Sequence, residues 1–491
     1  MNWRSLDQNQ TPLLSTLQAY ASREYAAFHT PGHKRGRGAP ESLRTLLGYQ
    51  TLAADLPELP ELDNLFAPEG VIQAAQELAA AAFGAEQTWF LANGSTSGVI
   101  AAILATCNSG EKIILPRNVH QSAISGLILA GAVPVFVQPE YDPVLDVAHS
   151  ITPESVAAAL VEHSDARAVM MVYPTYYGVG GDVAAIAHLC HQHSIPLLVD
   201  EAHGAHFAFH PELPTPALAA GADLSVQSIH KTLSALTQAA MLHVQGNRID
   251  RDRLTKSLAL VQSTSPNYLL LASLDAARHQ MATQGKELLE QTLAFADKAR
   301  FEIDQIPGLS TLKPSQAQTP GWVTSDRTRL TVTISGLGIN GFTADAILHQ
   351  QFGVTCELPS LHHLTFIFSP GNSEKDREQL ISALKKLGSE IEDSDREGEK
   401  IFHSPLPPPS SPLPPRAAFF APTRSFPLSE AVNHISAELV CPYPPGIPVL
   451  VPGEVVTEGA IAYLQKVLAA GGIISGCADP RLEMIKVVDD L

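Results

Sequence analysis

Between Gln87 and Val244, seven short apolar runs alternate with stretches of helical periodicity, and this alternation restricts the possible folds more than any other feature. The runs are Gln87–Ala92, Lys112–Leu115, Val133–Val137, Ala168–Tyr173, Pro196–Asp200, Asp223–Ser228 and Ala239–Val244. Each is nearly continuous in apolar residues, the pattern of strands buried on both faces. Helical patterns lie around them at Val71–Phe83, Ser97–Thr106, Ser122–Ala130, Pro153–Glu162 and Val183–His193. The last three are opened by Ser, Pro or Asp, residues that start helices well. The alternation predicts an α/β fold with a mainly parallel seven-stranded sheet covered by helices. Functional residues of such sheets lie at the carboxyl ends of the strands.

The flanking sequence divides as follows. Residues 1–55 form an N-terminal arm, with Leu13, Leu14, Leu17 and Tyr20 at helical spacing and a turn-rich stretch from Phe28 to Gly36. The large domain spans 56–300 and ends in helical segments, including apolar Leu269–Ala277 and amphipathic Gly285–Arg300. A smaller α+β domain follows at 301–390, with strands at Arg329–Ile334 and His363–Phe368 and helices at Thr343–Gln351 and Lys375–Leu387. Residues 391–416 are charged and then proline-rich, the composition of an exposed linker. Residues 417–491 regain apolar character as a C-terminal α+β segment.

Hydrophobic residues make up 45% of the 491 positions and charged residues 17%, enough for a large packed core. The formal net charge of −18 argues against nucleic acid or an anionic membrane as the main partner, since either requires a basic face. The 5 cysteines are scattered and form no CxxC, which fits a reducing compartment. Residues 1–8 show no apolar signal segment, and no apolar run reaches the ~18 residues of a membrane span, so the expected location is cytoplasmic.

Lys231 follows the run Asp223–Ser228, and Asp200 ends the run Pro196–Asp200. A lone lysine is ordinarily a surface residue; a lysine and an aspartate at two strand ends of one sheet suit an amine nucleophile and an acid that holds a pyridine nitrogen protonated. Ala202 is small enough to lie under a flat ring, and His203 follows within reach. Asn93-Gly94-Ser95-Thr96-Ser97-Gly98 joins the first strand to a helix, where amides, hydroxyls and the helix dipole favour a phosphate; it lacks the Gly-Lys-Ser/Thr of a Walker loop. Ser228 is placed to add a hydroxyl to the same phosphate. His120, in the loop after the second strand, is placed to stack on a ring, and Pro174–Gly178 to supply a hydroxyl or an aromatic wall. The pairs His29/His33 and His188/His191 have ligand-like spacing, but no Cys or carboxylate completes a site, so no metal is expected.

The segments Phe28–His33, Pro116–Ser122, Asp200-Glu201-Ala202-His203-Gly204, Ser228-Ile229-His230-Lys231, Thr264-Ser265-Pro266 and Pro442-Tyr443-Pro444-Pro445-Gly446 together resemble the ornithine/lysine/arginine decarboxylases of the aspartate-aminotransferase fold. The likeness runs from about residue 25 to 390 and resumes after the linker. It implies a pyridoxal 5'-phosphate enzyme that removes the α-carboxylate of a basic L-amino acid, in polyamine-type metabolism. Lys231 would carry the cofactor covalently, Asp200 would pair with its ring nitrogen, and His120 would stack on the ring. Ser95, Thr96, Ser97 and Ser228 would hold the phosphate, with Ala202 beneath the ring and Thr264 and Ser265 supplied by a partner subunit. His230 and His203 would lie beside the reacting carbon. The resemblance thus implies a homodimer or higher homo-oligomer. Two departures stand out: only about 25 residues precede the likeness, as in the shorter members, and Thr232-Leu233-Ser234-Ala235 replaces the glycine-rich continuation of some of them. An aminotransferase of the same fold is the alternative, although it usually needs a small-domain arginine that cannot be placed here. Arginine, lysine and ornithine are not distinguished; the acids considered for that choice are Asp55, Glu58, Glu61, Asp63 and Glu454.

Overall fold

The computed structural model describes residues 6–390 and 410–489, so positions 391–409 of the expected linker lie outside the described residues. In the arm, α1 spans Pro12–Ala21 and α2 spans Glu41–Ala54. There follow α3 (Val71–Phe83), β1 (Gln87–Leu91), α4 (Gly94–Thr106), β2 (Lys112–Pro116), α5 (Gln121–Ala130), β3 (Val133–Val137), α6 (Pro153–Glu162) and β4 (Ala168–Val172). Next come α7 (Val183–Gln192), β5 (Leu197–Asp200), β6 (Leu224–Gln227), the single turn α8 (Ile229–Thr232), β7 (Ala240–Val244), α9 (Arg251–Val261) and α10 (Tyr268–Ile303).

The seven strands form one sheet in the order β1-β7-β6-β5-β4-β2-β3. β2 pairs in parallel with β3 and β4, and β5 with β6. β7 runs against its neighbours, antiparallel to β1 and to β6. The α/β architecture read from the apolar runs is therefore present, with strand bounds shifted by at most a residue or two. The helices end where the sequence supplies a left-handed residue: Gly84 (φ 73°) closes α3 and Gly131 (φ 71°) closes α5. Thr152 and Ser155 form a reciprocal cap at the start of α6, and Asp182 caps α7 by accepting from Ala185 N at 2.9 Å.

Two elements differ from the sequence reading. The segments Leu269–Ala277 and Gly285–Arg300 run together as α10, 36 residues long. The intervening residues are mostly good helix formers, and Gly285 does not break the helix. A Cβ at Gly285 would stand 3.2 Å from the Cβ of Phe209, so the glycine permits close approach. The helix α2 gives little periodic signal, because Gly48 (φ 74°) kinks it and Leu43, Leu46, Leu47 and Tyr49 are all exposed.

The chain groups into two compact units, one of Met1–Ala105 with Leu198–Leu289 and the other of Thr106–Leu197 with Glu290–Leu491. The first has a core that joins α1, α3, β7 and α10 through residues such as Leu13, Leu17, Ile72, Phe90, Met241, Leu271 and Leu274. In the second, a four-stranded sheet is built from β8 (Ser310–Thr311), β9 (Arg329–Thr333), β10 (Leu358–Pro359) and β11 (His363–Ile367), in the order β8-β9-β11-β10. It packs against α11 (Gly341–Phe352) and α12 (Glu374–Glu390) through Leu330, Val332, Leu348, Leu364 and Leu384. The C-terminal residues form a further core around Val440, Leu450, Leu464 and Ile485.

The arm is held by charge in an apolar setting. Asp275 and Arg278 on α10 are both fully buried and paired with each other. Asp275 Oδ2 accepts from the backbone N–H groups of Leu13 (3.0 Å) and Leu14 (3.3 Å), in the first turn of α1. Thr11 provides no side-chain cap there, so Asp275 satisfies the exposed N–H groups and faces the positive end of the helix dipole. Arg278 donates to the carbonyls of Gln8 (2.9 Å) and Gln10 (2.6 Å). Asp275→Ala leaves Arg278 buried without its partner and is expected to cost about 3–5 kcal/mol. Thermal unfolding and limited proteolysis within residues 6–21 check this; an unchanged midpoint with no new cleavage in the arm contradicts it.

Candidate active site

Because β7 opposes both β1 and β6, while β6 and β5 are parallel, the carboxyl ends of β1, β6 and β5 fall on one edge. That edge brings together the turn after Leu91, the end of β5 at Asp200 and the turn after Gln227.

Asp200 is 9% exposed, and the one hydrogen bond of its carboxylate among the described residues comes from Ala202 N at 3.2 Å. Burial raises its pKa; the charge of Lys231 and the Ala202 N–H pull the other way without reversing this. Such a carboxylate is placed to take a cationic N–H that would restore its charge balance.

Lys231 lies on α8, where Ser228 caps the turn after β6 and Lys231 N donates to Ser228 O at 3.1 Å. Its Nζ is 3.1 Å from His203 Nε2. The neighbouring His230 is pushed down to about 4 by burial and by the charge of Lys231, so it is neutral at pH 7.

The turn after β1 is fixed from two sides. Gln262 Oε1 accepts from Ala92 N at 2.7 Å, and Gln238 Nε2 donates to Ala92 O at 2.7 Å. Gly94 adopts φ 75°, so α4 begins at once. Ser228 Oγ donates to Ser95 Oγ at 2.7 Å, which joins the two turns through their hydroxyls. Thr96 is exposed, whereas Ser97 is buried and spends its hydroxyl on Gly94 O at 2.8 Å. Thr264 and Ser265 are exposed in the loop before α10; that loop is tied to the same turn by Ser263 N, which donates to Asn93 Oδ1 at 3.3 Å. Ala202 is buried beside Asp200. Ser95, Thr96, Ser97, Asp200, Ala202, His203, Ser228, His230 and Lys231 thus belong to one compact unit.

His120 belongs to the second unit. It caps α5, its Nδ1 accepting from Ser122 N at 3.2 Å and lying 2.8 Å from Ser122 Oγ. A nitrogen that accepts from an amide carries no proton, so the ring's N–H is on Nε2.

A polar network under Asp200 is the part that sequence reasoning missed. Glu201, fully buried, accepts from Ser225 Oγ (2.6 Å), Gln227 Nε2 (2.9 Å) and Ala217 N (2.8 Å). Gln227 Oε1 in turn faces His243 Nε2 at 3.2 Å, and His243 Nδ1 faces Thr88 Oγ1 at 2.8 Å. Thr88, His243 and Ser225 are register partners across β1, β7 and β6, so a polar row crosses three strands on one face. The available signal was a polar residue inside each of three strand-like runs. Burial pushes Glu201 up to about 7, against the hydrogen bonds of Ser225, Gln227 and Ala217, and pushes His243 down to about 3.

The acids considered for substrate choice are all engaged. Asp55 Oδ2 meets His33 Nε2 at 3.0 Å, and Glu61 pairs with Arg23 at 3.3 Å. Asp63 accepts from the backbone N–H groups of Asn64, Glu69, Gly70, Ile72 and Gln73 at the start of α3. Burial works to raise its carboxyl, and these donors outweigh it and hold it below its ordinary range. Glu58 Oε2 accepts from Asn64 Nδ2 at 3.0 Å, while its Oε1 is buried without a partner among the described residues. Glu454 is paired with Arg117 at 2.8 Å. Among the described residues, no group of three or more His, Cys, Asp or Glu side chains is arranged to hold a metal ion.

An α/β enzyme with a lysine and a desolvated aspartate at one sheet edge is the class that fold and site define. The model of the Orn/Lys/Arg decarboxylase major domain matches residues 11–376, and that of the Orn/Lys/Arg decarboxylase C-terminal domain matches residues 413–475. An arginine decarboxylase of Bacillus subtilis is 40% identical over 487 residues, covering 99% of both chains. One of Bacillus anthracis is 39% identical over 99% of this chain and 98% of its own. Among solved structures, a Francisella novicida lysine decarboxylase superposes with a TM-score of 0.83 at 22% identity, covering 98% of this chain and 81% of its own. The chain belongs to the Orn/Lys/Arg decarboxylase family and is a carboxy-lyase of basic amino acids. The family implies pyridoxal phosphate as cofactor, and nothing supports the aminotransferase alternative.

The residues present fit that cofactor: a buried carboxylate with a single hydrogen bond among the described residues, an amine 3.1 Å from a histidine, and two hydroxyls joined at a helix start.

The Glu201 network gives a pH prediction. A carboxyl whose folded pKa is raised to about 7 from 4.5 binds its proton more tightly when folded. Its contribution to stability is full below the unfolded value and is lost as pH rises through the folded one. Glu201→Gln removes this term while keeping a hydrogen-bonding amide. Relative to the parent, its thermal midpoint is expected to rise between about pH 5 and pH 8. A difference that does not vary with pH contradicts the assignment.

Proposed function

We propose that this protein binds pyridoxal 5'-phosphate through Lys231 and removes the α-carboxylate of L-arginine, releasing CO₂ and the corresponding amine. The observation that carries the reading is the placement of Lys231 and His203 on the same sheet edge as the desolvated Asp200. The choice of arginine rests on the relatives named arginine decarboxylase, which are about as long as this chain and match almost all of it.

When bound, the cofactor supplies an electron sink for the bond that breaks with CO₂. The chain's own residues do the rest. Asp200 would accept a hydrogen bond from the ring nitrogen and stabilise the proton there. The first turn of α4, with Ser95, Thr96 and Ser97, and the hydroxyl of Ser228 bind the phosphate. Ala202 would leave room for the ring, and His120 would be the residue to stack on it. Lys231 would hold the cofactor through its side-chain amine. His203 Nε2, beside Lys231 Nζ, would exchange protons with the lysine amine. His230 is neutral at pH 7, so Lys231 Nζ is the better donor to the carbon left by CO₂.

The site is completed in a homodimer. Thr264 and Ser265 of the partner subunit reach the phosphate, in keeping with their exposure in this chain. The arm also exposes Phe28 (95%), Leu46 (80%) and Tyr49 (67%), an apolar surface that a second copy would cover. We assign the enzyme to the cytoplasm and to polyamine metabolism, with a large domain at 56–300, a small domain at 301–390 and a C-terminal domain at 417–491.

Purified protein supplied with pyridoxal phosphate is to be offered L-arginine, L-lysine and L-ornithine in turn, with CO₂ and amine product measured. Agmatine is expected to exceed cadaverine and putrescine, and Lys231→Ala to lose at least ~10³-fold in kcat/KM, the scale of a lost covalent catalyst. Equal release from all three substrates overturns the choice of arginine, and full activity in Lys231→Ala overturns the site.

A further inference from the structure

The C-terminal segment reaches the loop that carries His120. Arg117, the first residue after β2, is only 11% exposed in its side chain, and Glu454 is 1% exposed. The guanidinium donates from Nε to Glu454 Oε1 at 3.0 Å and from one NH2 to Glu454 Oε2 at 2.8 Å, a two-pronged pairing. It also donates to the carbonyls of Pro448 (2.7 Å) and Val449 (3.1 Å), and its far side rests over the ring of Phe136. Glu454 Oε2 further accepts from Val451 N at 2.8 Å. Arg117 therefore fastens residues 448–454 to the start of the His120 loop.

A second contact lies at the other end of that loop. Gln121 N donates to Gly446 O at 3.1 Å. Gly446 has φ 88°, and a Cβ there would stand 3.3 Å from Gln121 Nε2 and 3.5 Å from His120 Nε2. The edge of the His120 ring thus faces bare backbone. Its other edge is held by Ser122, through N and Oγ. The imidazole is clasped between the α5 cap on one side and the 446 turn on the other.

We propose that Arg117, Glu454 and Gly446 are positioning residues that set the plane of the His120 ring for the cofactor, so the C-terminal segment acts on the cofactor site through His120. This rests on the reading of His120 as the stacking residue. Glu454, one of the acids considered for substrate choice, then has its place in this clasp.

The test is a double-mutant cycle on pyridoxal-phosphate affinity, measured by titrating apoprotein and following absorbance, with thermal unfolding of each apoprotein as a control. His120→Ala, Glu454→Gln and Gly446→Ala are each expected to weaken binding about tenfold, and Glu454→Gln to add nothing when His120 is already Ala. Gly446→Ala leaves the ion pair intact, so it separates loop position from charge loss. If His120→Ala weakens binding while Glu454→Gln and Gly446→Ala leave it unchanged, the proposal falls alone, even if their midpoints drop. If the losses multiply in the double variant, Glu454 does not act through His120 and the proposal falls. If His120→Ala leaves affinity unchanged, the stacking assignment falls and takes the proposal with it.

Discussion

The structure depends on a carboxylate kept out of water. Asp200 ends a strand whose every residue is buried, and burial alone raises its pKa. A carboxylate in that position is unfavourable unless a cation shares the charge. Lys231 supplies part of the compensation from the turn after β6, and a protonated ring nitrogen would supply the rest. The sheet order makes this possible: β7, inserted against the direction of its neighbours, leaves β1, β6 and β5 opening on the same edge.

The neighbouring residue solves the same problem differently. Glu201 has no cation beside it among the described residues; burial raises its affinity for a proton, and a serine, a glutamine and a backbone amide offset only part of that rise. Consecutive residues of one strand end point to opposite faces. One carboxylate is left underbonded at the site, and the next is fully bonded inside a polar row that runs to Thr88. The proposed function uses the first, and the second ties together the strands that present it. Asp275 and Arg278 follow a related rule on α10, where four backbone groups of the arm add hydrogen bonds to a buried pair.

Most of the sheet was legible because strands buried on both faces write themselves as continuous apolar runs bounded by turn residues. Strands Val133–Val137 and the other six lie where those runs lie. The strand-end residues Asp200, Ser228 and Lys231 were legible for the same reason: a charge or hydroxyl just past an apolar run stands out. What escaped is what leaves no period. The kinked α2 buries only Leu52 and Ala53, so its apolar residues point outward and no stripe forms. The pairing of Arg117 with Glu454 joins positions 337 residues apart, and one sequence without relatives carries no trace of such a contact. The same holds for Asp275, whose capping of α1 spans 262 residues.

The central claim is that Lys231 is the amine that holds the cofactor opposite Asp200. Borohydride reduction of the holoprotein, followed by digestion and mass spectrometry of the peptides, tests it most directly. The account predicts one phosphopyridoxyl-modified peptide, containing Ser228-Ile229-His230-Lys231, with the modification on Lys231. Stoichiometric label on any other lysine, with Lys231 unmodified, would contradict it.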